Sequence, residues 1–324
     1  MFNRSKNESL SGQGDSADRP EWKILEKLAF YSLDEQKKAR RWGVIFKALT
    51  FAYLFVALLL FFLPRFSGVP SASEDHVALV TLTGVIAADA EASANRVVTG
   101  LRDAFEADKS VAVVLAINSP GGSPVQSGYI NDEIYRLRAL HPDKKIYAVI
   151  ADLGASGGYY VASAASEIYA DKASLVGSIG VISGGFGFTE AMEKLGIDRR
   201  VYTAGNSKAF LDPFSPEKEG DKEFWQSVLK VTHQQFIDVV QKGRGSKLIE
   251  DPAIFSGRIW SGEQAVAMGL VDGLASVGKV ARDIIGNDTI RDYSVKKHPF
   301  DDFAERLGIA TKNAIRSFST SISY

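Results

Sequence analysis

The stretch GASGGYYVASAA, residues 154–165, sets one serine, Ser156, among small residues. An apolar run precedes it and an alanine-rich run follows. A serine at the first turn of a helix feels the positive end of the helix dipole, which favours developing negative charge. The next backbone N–H, on Gly157, is well placed to donate to an oxyanion. The competing reading is that Ser156 only caps the helix or fills a tight turn. A second stretch, NSPGGSP at residues 118–124, carries Gly121 and Gly122. Glycines let the backbone approach a ligand closely and aim N–H groups at it, here as half of an oxyanion hole. The same letters also spell an ordinary Pro-Gly turn. No Gly-Lys-Ser/Thr follows, so this is not a phosphate-binding loop.

A nucleophilic serine needs a base. Lys208, in TAGNSKAFLDPFSP, follows an apparent strand, RRVYTAG, and precedes Ala209, Phe210 and Leu211. Most lysines are solvated surface residues, but apolar neighbours could desolvate this ammonium until the amine serves as a base. GASGG also fits G-x-S-x-G, the nucleophile elbow of α/β-hydrolases, which requires an acid and then a histidine later in the chain. Of four histidines only His233 and His298 follow Ser156. His233 falls in mid-helix and His298 before a proline in a charged tail. Neither occupies a glycine-marked loop after a strand. A Ser/Lys dyad needs no histidine; an esterase with a histidine base is the alternative.

These residues must be held by a scaffold. From Val77 onward, apolar strands alternate with amphipathic helices. VAVVLAIN and KIYAVIAD are fully apolar strands, VALVTLTGVI a strand or pair of strands, and SLVGSIGVIS another. Val97, Val98, Leu101 and Phe105 have helical spacing, as do Ile130, Ile134, Leu137 and Leu140. Residues 217–244 read as a long helix with Phe224, Val228, Val231 and Phe236 as apolar positions. Apolar strands separated by helices indicate an α/β fold with a parallel sheet covered on both faces.

The 324 residues carry a formal net charge of -1 and no cysteine. Near-neutrality argues against nucleic acid as a partner. The lack of cysteine excludes disulfides and thiolate metal sites, and no paired histidine spacing suggests a metal; no cofactor is expected. Residues 44–63, VIFKALTFAYLFVALLLFFL, hold one charge, Lys47, near one end. Twenty helical residues span about 30 Å of hydrocarbon. Lys37, Lys38, Arg40 and Arg41 precede the run, and the positive-inside rule then puts residues 1–43 in the cytoplasm and the rest outside. A cleaved signal peptide is the other reading, although the polar leader is long for one.

Taken together and in this order, NSPGGSP, GASGGYYVASAA, LVGSIGVI, AGNSKAFLDPFSP and GRIWSGEQAVAMGLVDGL strongly resemble the bacterial signal peptide peptidase A family of membrane-anchored serine proteases. The resemblance covers roughly residues 77–276 and implies a Clp protease/crotonase-like α/β fold. It implies Ser156 as nucleophile and Lys208 as general base, with Ser178 orienting the lysine. Gly121 or Gly122, with Gly157, matches the oxyanion donors. The chain carries one copy of the catalytic unit, where some members carry two, which implies that several subunits in a homo-oligomeric ring complete the enclosure. The implied substrates are apolar peptides such as remnant signal peptides, cleaved outside the cytoplasmic (inner) membrane of a bacterium. A soluble crotonase-type acyl-CoA enzyme and a catalytically idle ring-forming scaffold are the rival readings.

The expected organisation is a partly disordered segment at 1–43, a transmembrane helix at 44–63 and a linker at 64–76. A protease domain at 77–285 and a tail at 286–324 complete it. In the tail, Phe300, Phe303, Leu307, Ala310 and Ala314 have helical spacing that suits docking on a subunit, on the membrane, or on its own domain.

Overall fold

The computed structural model describes residues 20–62 and 74–295. The expectations for residues 1–19, for most of the linker, and for the tail beyond 295 with His298 lie outside the described residues. The chain divides into two compact units, Met1–Ser71 and Ala72–Tyr324.

The first unit contains α1, Pro20–Phe62, one uninterrupted helix of 43 residues. The charged leader and the apolar run therefore form one element rather than two. No proline or capping pattern breaks the chain between them, and the lone Gly43 is tolerated within a long helix. Among the described residues this is the one helix long and apolar enough to cross a membrane.

The second unit is built on an eight-stranded sheet. Its elements follow in order: β1 His76–Thr83, α2 Ala94–Glu106, β2 Ser110–Ser119, α3 Pro124–Leu140, β3 Ile146–Ala155, α4 Gly157–Ala162, β4 Glu167–Ala170 and β5 Leu175–Gly177. Then come α5 Thr189–Lys194, α6 Glu219–Arg244, β6 Ile259–Ser261, α7 Gly262–Ala267, β7 Gly273–Leu274 and β8 Ile290–Asp292. The sheet runs β6-β5-β3-β2-β1-β8, and β4 joins β3 to β7. Every pairing is parallel except β5 with β6. The α/β expectation is met, and with it the rule that parallel strands place their carboxyl ends, and the loops that follow them, on one edge where sites form.

The strand runs are apolar because both faces are covered. Val80, Leu82, Val113, Leu115, Ile117, Ala148 and Ile150 belong to the larger buried cluster, with Val97, Leu101 and Phe105 of α2 and Ile130, Ile134 and Leu137 of α3. The alternate strand residues, Val77, Ala112, Val114, Tyr147 and Val149, pack in a smaller cluster with Val280 and Ala281.

Several sequence expectations shift. RRVYTAG forms no strand, because nothing in the sheet pairs with it. SLVGSIGVIS is a strand only to Gly177, since Ser178 turns to φ 52. Leu140, Phe224 and Val231 are exposed; α6 buries Phe236, Val240 and Arg244 in its second half alone. The sheet also runs past residue 285, where the sequence placed the end of the domain. β8 is only three residues long and pairs with β1 through Val77, Ala78 and Leu79, too short to show a pattern in the letters.

One polar knot ties α2 to α3. Glu133 accepts from Arg102 Nε at 2.6 Å and from Arg136 Nε and Nη2 at 2.9 and 2.6 Å. The hydrogen bond from Arg136, aided by Arg102, holds this carboxyl at about 2 despite the opposing effect of burial. The folded value lies below the ordinary 4.5. The stabilisation is therefore fully present above that pH and is lost as pH falls toward 2. The thermal unfolding midpoint of the protein is expected to drop over this window, and the drop is expected to be shallower in Glu133→Gln. Identical pH curves for the two proteins would refute the assignment.

Candidate active site

Ser156 joins β3 to α4 with φ 51 and ψ -124, a backbone that side-chain-bearing residues rarely adopt. It is held there from both sides. Its N–H donates to the Gly177 carbonyl at 2.8 Å, and its own carbonyl accepts from Tyr160 N–H at 2.9 Å. The serine does not cap α4, because its side chain makes no capping hydrogen bond. With only six residues, α4 has little dipole to offer, and what it presents is the N–H of Gly157, its first residue.

The NSPGG loop lies against this turn. A Cβ on Gly121 would stand 2.6 Å from Gly157 N and 2.7 Å from Ser156 Cβ, and one on Gly157 would stand 3.3 Å from Gly122 N. The loop is pinned from behind by the turn after β1. Ile86 N–H donates to Gly121 O and Ser123 N–H to Ile86 O, each at 2.8 Å.

Sequence alone left open which glycine faces the serine. The structure distinguishes them through Ser119, which the sequence reading passed over. Ser119 is fully buried; its Oγ accepts from Gly121 N–H at 3.1 Å and donates to Gly84 O at 2.6 Å. The Gly121 donor is thus occupied. Gly122 N–H and Gly157 N–H have no hydrogen-bond partner among the described residues. Two adjacent unpaired amides beside a strained serine have the arrangement that oxyanion binding requires. The signal was there to read: a serine two residues before a Gly-Gly turn can accept from the turn's own backbone.

Ser156, Gly157 and Gly122 open onto a cavity of about 430 Å³. Its walls include Val125, Tyr160, Val181, Ile182 and Phe236, with Thr232 and Gln235 as polar members. Among the described residues no charged side chain lines it. Ser178 follows β5, one step beyond the Gly177 that binds Ser156. It is half-buried with φ 52, and its N–H donates to Arg258 O at 2.7 Å.

Lys208 is not brought to this place. It does not line the cavity, and it is exposed. No hydrogen bond joins it to Ser156 or Ser178 among the described residues. Its loop is nonetheless well built. Phe210 packs edge-on to Phe224 and Trp225 of α6, at 6.1 and 5.8 Å between centroids. Asp212 accepts from Arg199 Nε at 2.9 Å and from Ser215 Oγ at 2.8 Å. The apolar neighbour Phe210 is thus engaged with α6, and the lysine is not desolvated within a single chain.

His233, the rival base, is half-buried on α6 beside the cavity residues Thr232 and Gln235. Its Nε2 lies 3.1 Å from the Ile179 carbonyl. A carbonyl only accepts, so this nitrogen carries the proton and is spent on backbone. Among the described residues no cluster of three or more His, Asp or Glu could hold a metal.

Three non-glycine residues among those described have positive φ: Ser156, Ser178 and Leu211. Such residues cost of order 1–3 kcal/mol each and concentrate at functional sites. Two of them are the candidate serines, and the third lies in the Lys208 loop.

Residues 138–285 match peptidase family S49, a stretch that contains Ser156, Ser178 and Lys208 while Gly121 and Gly122 precede it. The chain is 46% identical over 187 residues to a Brucella melitensis protein named Na(+)/H(+) antiporter NhaA, covering 58% of this chain and 25% of that one. It is 33% identical over 210 residues to the putative signal peptide peptidase SppA of Enterococcus faecium, covering 62% and 60%. It is 30% identical over 207 residues to a putative protease of Synechocystis sp., covering 64% and 72%. The chain thus spans a quarter of the antiporter-named relative and somewhat over half of the Enterococcus one. An S49 match over the serine turn and the lysine loop, on an alternating α/β sheet of the Clp protease-like kind, settles the relationship: the chain belongs to the S49 family of serine-type peptidases, the family of signal peptide peptidase SppA.

Proposed function

We propose that this chain is a membrane-anchored serine endopeptidase with a Ser/Lys dyad, acting on apolar peptides such as remnant signal peptides at the outer side of the bacterial cytoplasmic membrane. The observation that carries the reading is Ser156, held at positive φ beside two unpaired amides at the mouth of a cavity with no charged lining among the described residues and with Val125, Val181, Ile182 and Phe236 on its walls. Lys208, as the neutral amine, takes the Ser156 hydroxyl proton while Oγ attacks the scissile carbonyl. The N–H groups of Gly122 and Gly157 hold the resulting oxyanion. The intermediate collapses to an acyl-serine, and Lys208 gives its proton to the departing amine. Water, deprotonated by the same lysine, then releases the acid. Ser178 orients the lysine.

Exposure of Lys208 supports an assembly in which the lysine loop of one copy completes the site of the next. So do exposed apolar side chains on the cavity and ahead of the lysine loop, Ile182 at 93% and Tyr202 at 91%. A heterologous contact repeated around an axis closes into a ring. The apolar half of α1 and the basic cluster before it support anchoring with residues 1–43 in the cytoplasm. Anchoring raises the local concentration of enzyme near peptides left in the membrane.

The test is hydrolysis of a fluorogenic apolar peptide, and labelling by a fluorophosphonate, using full-length protein in detergent. Ser156→Ala is expected to abolish both. Lys208→Ala is expected to abolish turnover, whereas His298→Ala keeps it. Loss of activity on a histidine change with Lys208→Ala still active would restore the esterase reading, and an unlabelled wild type would favour the idle scaffold.

A further inference from the structure

Three residues of α6 line the cavity onto which Ser156 opens: Thr232, Gln235 and Phe236. Their spacing, i, i+3 and i+4, is one stripe of a helix. The stripe is fixed at two points. The His233 ring donates to the Ile179 carbonyl at 3.1 Å. The buried Phe236 ring packs on the Tyr160 ring with 5.1 Å between centroids. The backbone that carries Gln235 is thereby held against the cavity.

Two of the hydroxyls on this cavity have spent their protons on backbone. Ser127 Oγ donates to Ser123 O at 3.0 Å, and Thr232 Oγ1 to Val228 O at 3.1 Å. Gln235 differs. Among the described residues no hydrogen bond engages its side-chain amide, which brings two donor hydrogens and an acceptor oxygen. It is exposed, as are Val125 and Ile182, whereas Phe236 is buried. The amide therefore stands at the entrance and the aromatic ring at depth. A peptide that sets an apolar side chain on Phe236 must carry its backbone past that entrance. There the backbone N–H and C=O groups lose water and need new partners. A glutamine amide presents the complement of a peptide unit, Oε1 accepting from N–H and Nε2 donating to C=O. Every residue offers that unit, so the contact suits peptides of varied apolar sequence.

We infer that Gln235 is a substrate-binding residue whose side-chain amide pairs with the backbone of the peptide at the cavity entrance, and so sets the scissile carbonyl against Gly122 and Gly157. The inference rests on the reading of Ser156 and its cavity as the peptidase site, and adds the contact that aligns the peptide there.

The experiment is a double-mutant cycle on full-length protein in detergent. One apolar peptide is methylated at each backbone nitrogen in turn. Each form is hydrolysed by wild type and by Gln235→Met, which keeps the length of the side chain and loses the amide. Gln235→Met should unfold at the wild-type midpoint. It should also label with a fluorophosphonate at the wild-type rate, since that probe has no peptide backbone. On the unmethylated peptide it should lose about tenfold in kcat/KM, the worth of about one hydrogen bond. At one nitrogen, methylation should cost wild type about tenfold and cost Gln235→Met nothing further. Wild-type kcat/KM in Gln235→Met, or methyl effects that add to the substitution at every nitrogen, would overturn the inference, while a dead Ser156→Ala leaves the peptidase site standing. Slower labelling of Gln235→Met would overturn it as well, because the residue would then act on the serine and not on the peptide. Hydrolysis by Ser156→Ala would overturn both.

Discussion

Co-assembling Ser156→Ala copies with Lys208→Ala copies restores peptide hydrolysis that neither variant shows alone. This is the result expected if the lysine loop serves the serine of a neighbouring copy. Each variant by itself loses about 10³-fold or more in turnover, because nucleophile and base act as a unit. In a randomly mixed ring at equal proportions, a site works when a copy with an intact serine receives its lysine from a copy with an intact lysine. That arrangement arises at about one site in four, so on the order of a quarter of wild-type turnover should return. The physical ground is the state of Lys208 in one chain: exposed, outside the cavity, and on a turn fixed by Phe210 and Asp212. The measurement is hydrolysis by co-expressed, co-purified variants carrying different tags. If doubly tagged assemblies form and stay inactive, Lys208 serves its own Ser156 and the exposed arm has another purpose.

The sheet and helices were legible because their signals are collective. Buried parallel strands write themselves as apolar runs, and α2 and α3 repeat apolar residues at helical spacing, so a wrong residue or two changes little. The serine turn was legible for a different reason: only small residues fit where two loops cross, and GASGG beside PGG is the imprint of that crossing. Gly158 shows it well, since a Cβ there would stand 2.9 Å from Ser119 O. What the letters did not carry are the pairings between loops. The hold of Ser119 Oγ on Gly84 O and the end of β5 at Gly177, where Ser178 N–H turns to Arg258 O, each depend on a partner far along the chain. Lys208 is the clearest case. Its apolar neighbours suggested burial, yet Phe210 packs on α6 and Leu211 is half exposed, because local sequence does not say which way a loop's side chains turn.

Gly122→Ala is expected to lower kcat by about 10²–10³-fold with KM little changed, the signature of a lost oxyanion donor. At φ +148, Gly122 holds a backbone that disfavours any side chain, and an added Cβ would overlap the Ile86 carbonyl and stand 2.8 Å from Ile86 N. Both are backbone atoms and cannot turn aside. The loop must therefore move off Ile86, and the N–H aimed beside Gly157 moves with it. Ser119→Ala separates aim from bulk. It keeps the Cβ that packs near Gly158 and removes the Oγ that accepts from Gly121 N–H and donates to Gly84 O. The loop keeps its two bonds with Ile86, through Gly121 O and Ser123 N–H, so the loss in kcat should be nearer tenfold, with about 1–3 kcal/mol of stability lost for the two groups left unpaired. Kinetics on one apolar peptide, with fluorophosphonate labelling and thermal unfolding of each variant, distinguish the two. Wild-type kcat in a folded Gly122→Ala would remove this loop from the oxyanion site and leave Gly157 to act with some other donor. A Ser119→Ala that unfolds no earlier and turns over no slower would mean that the Ile86 contacts alone aim the amide.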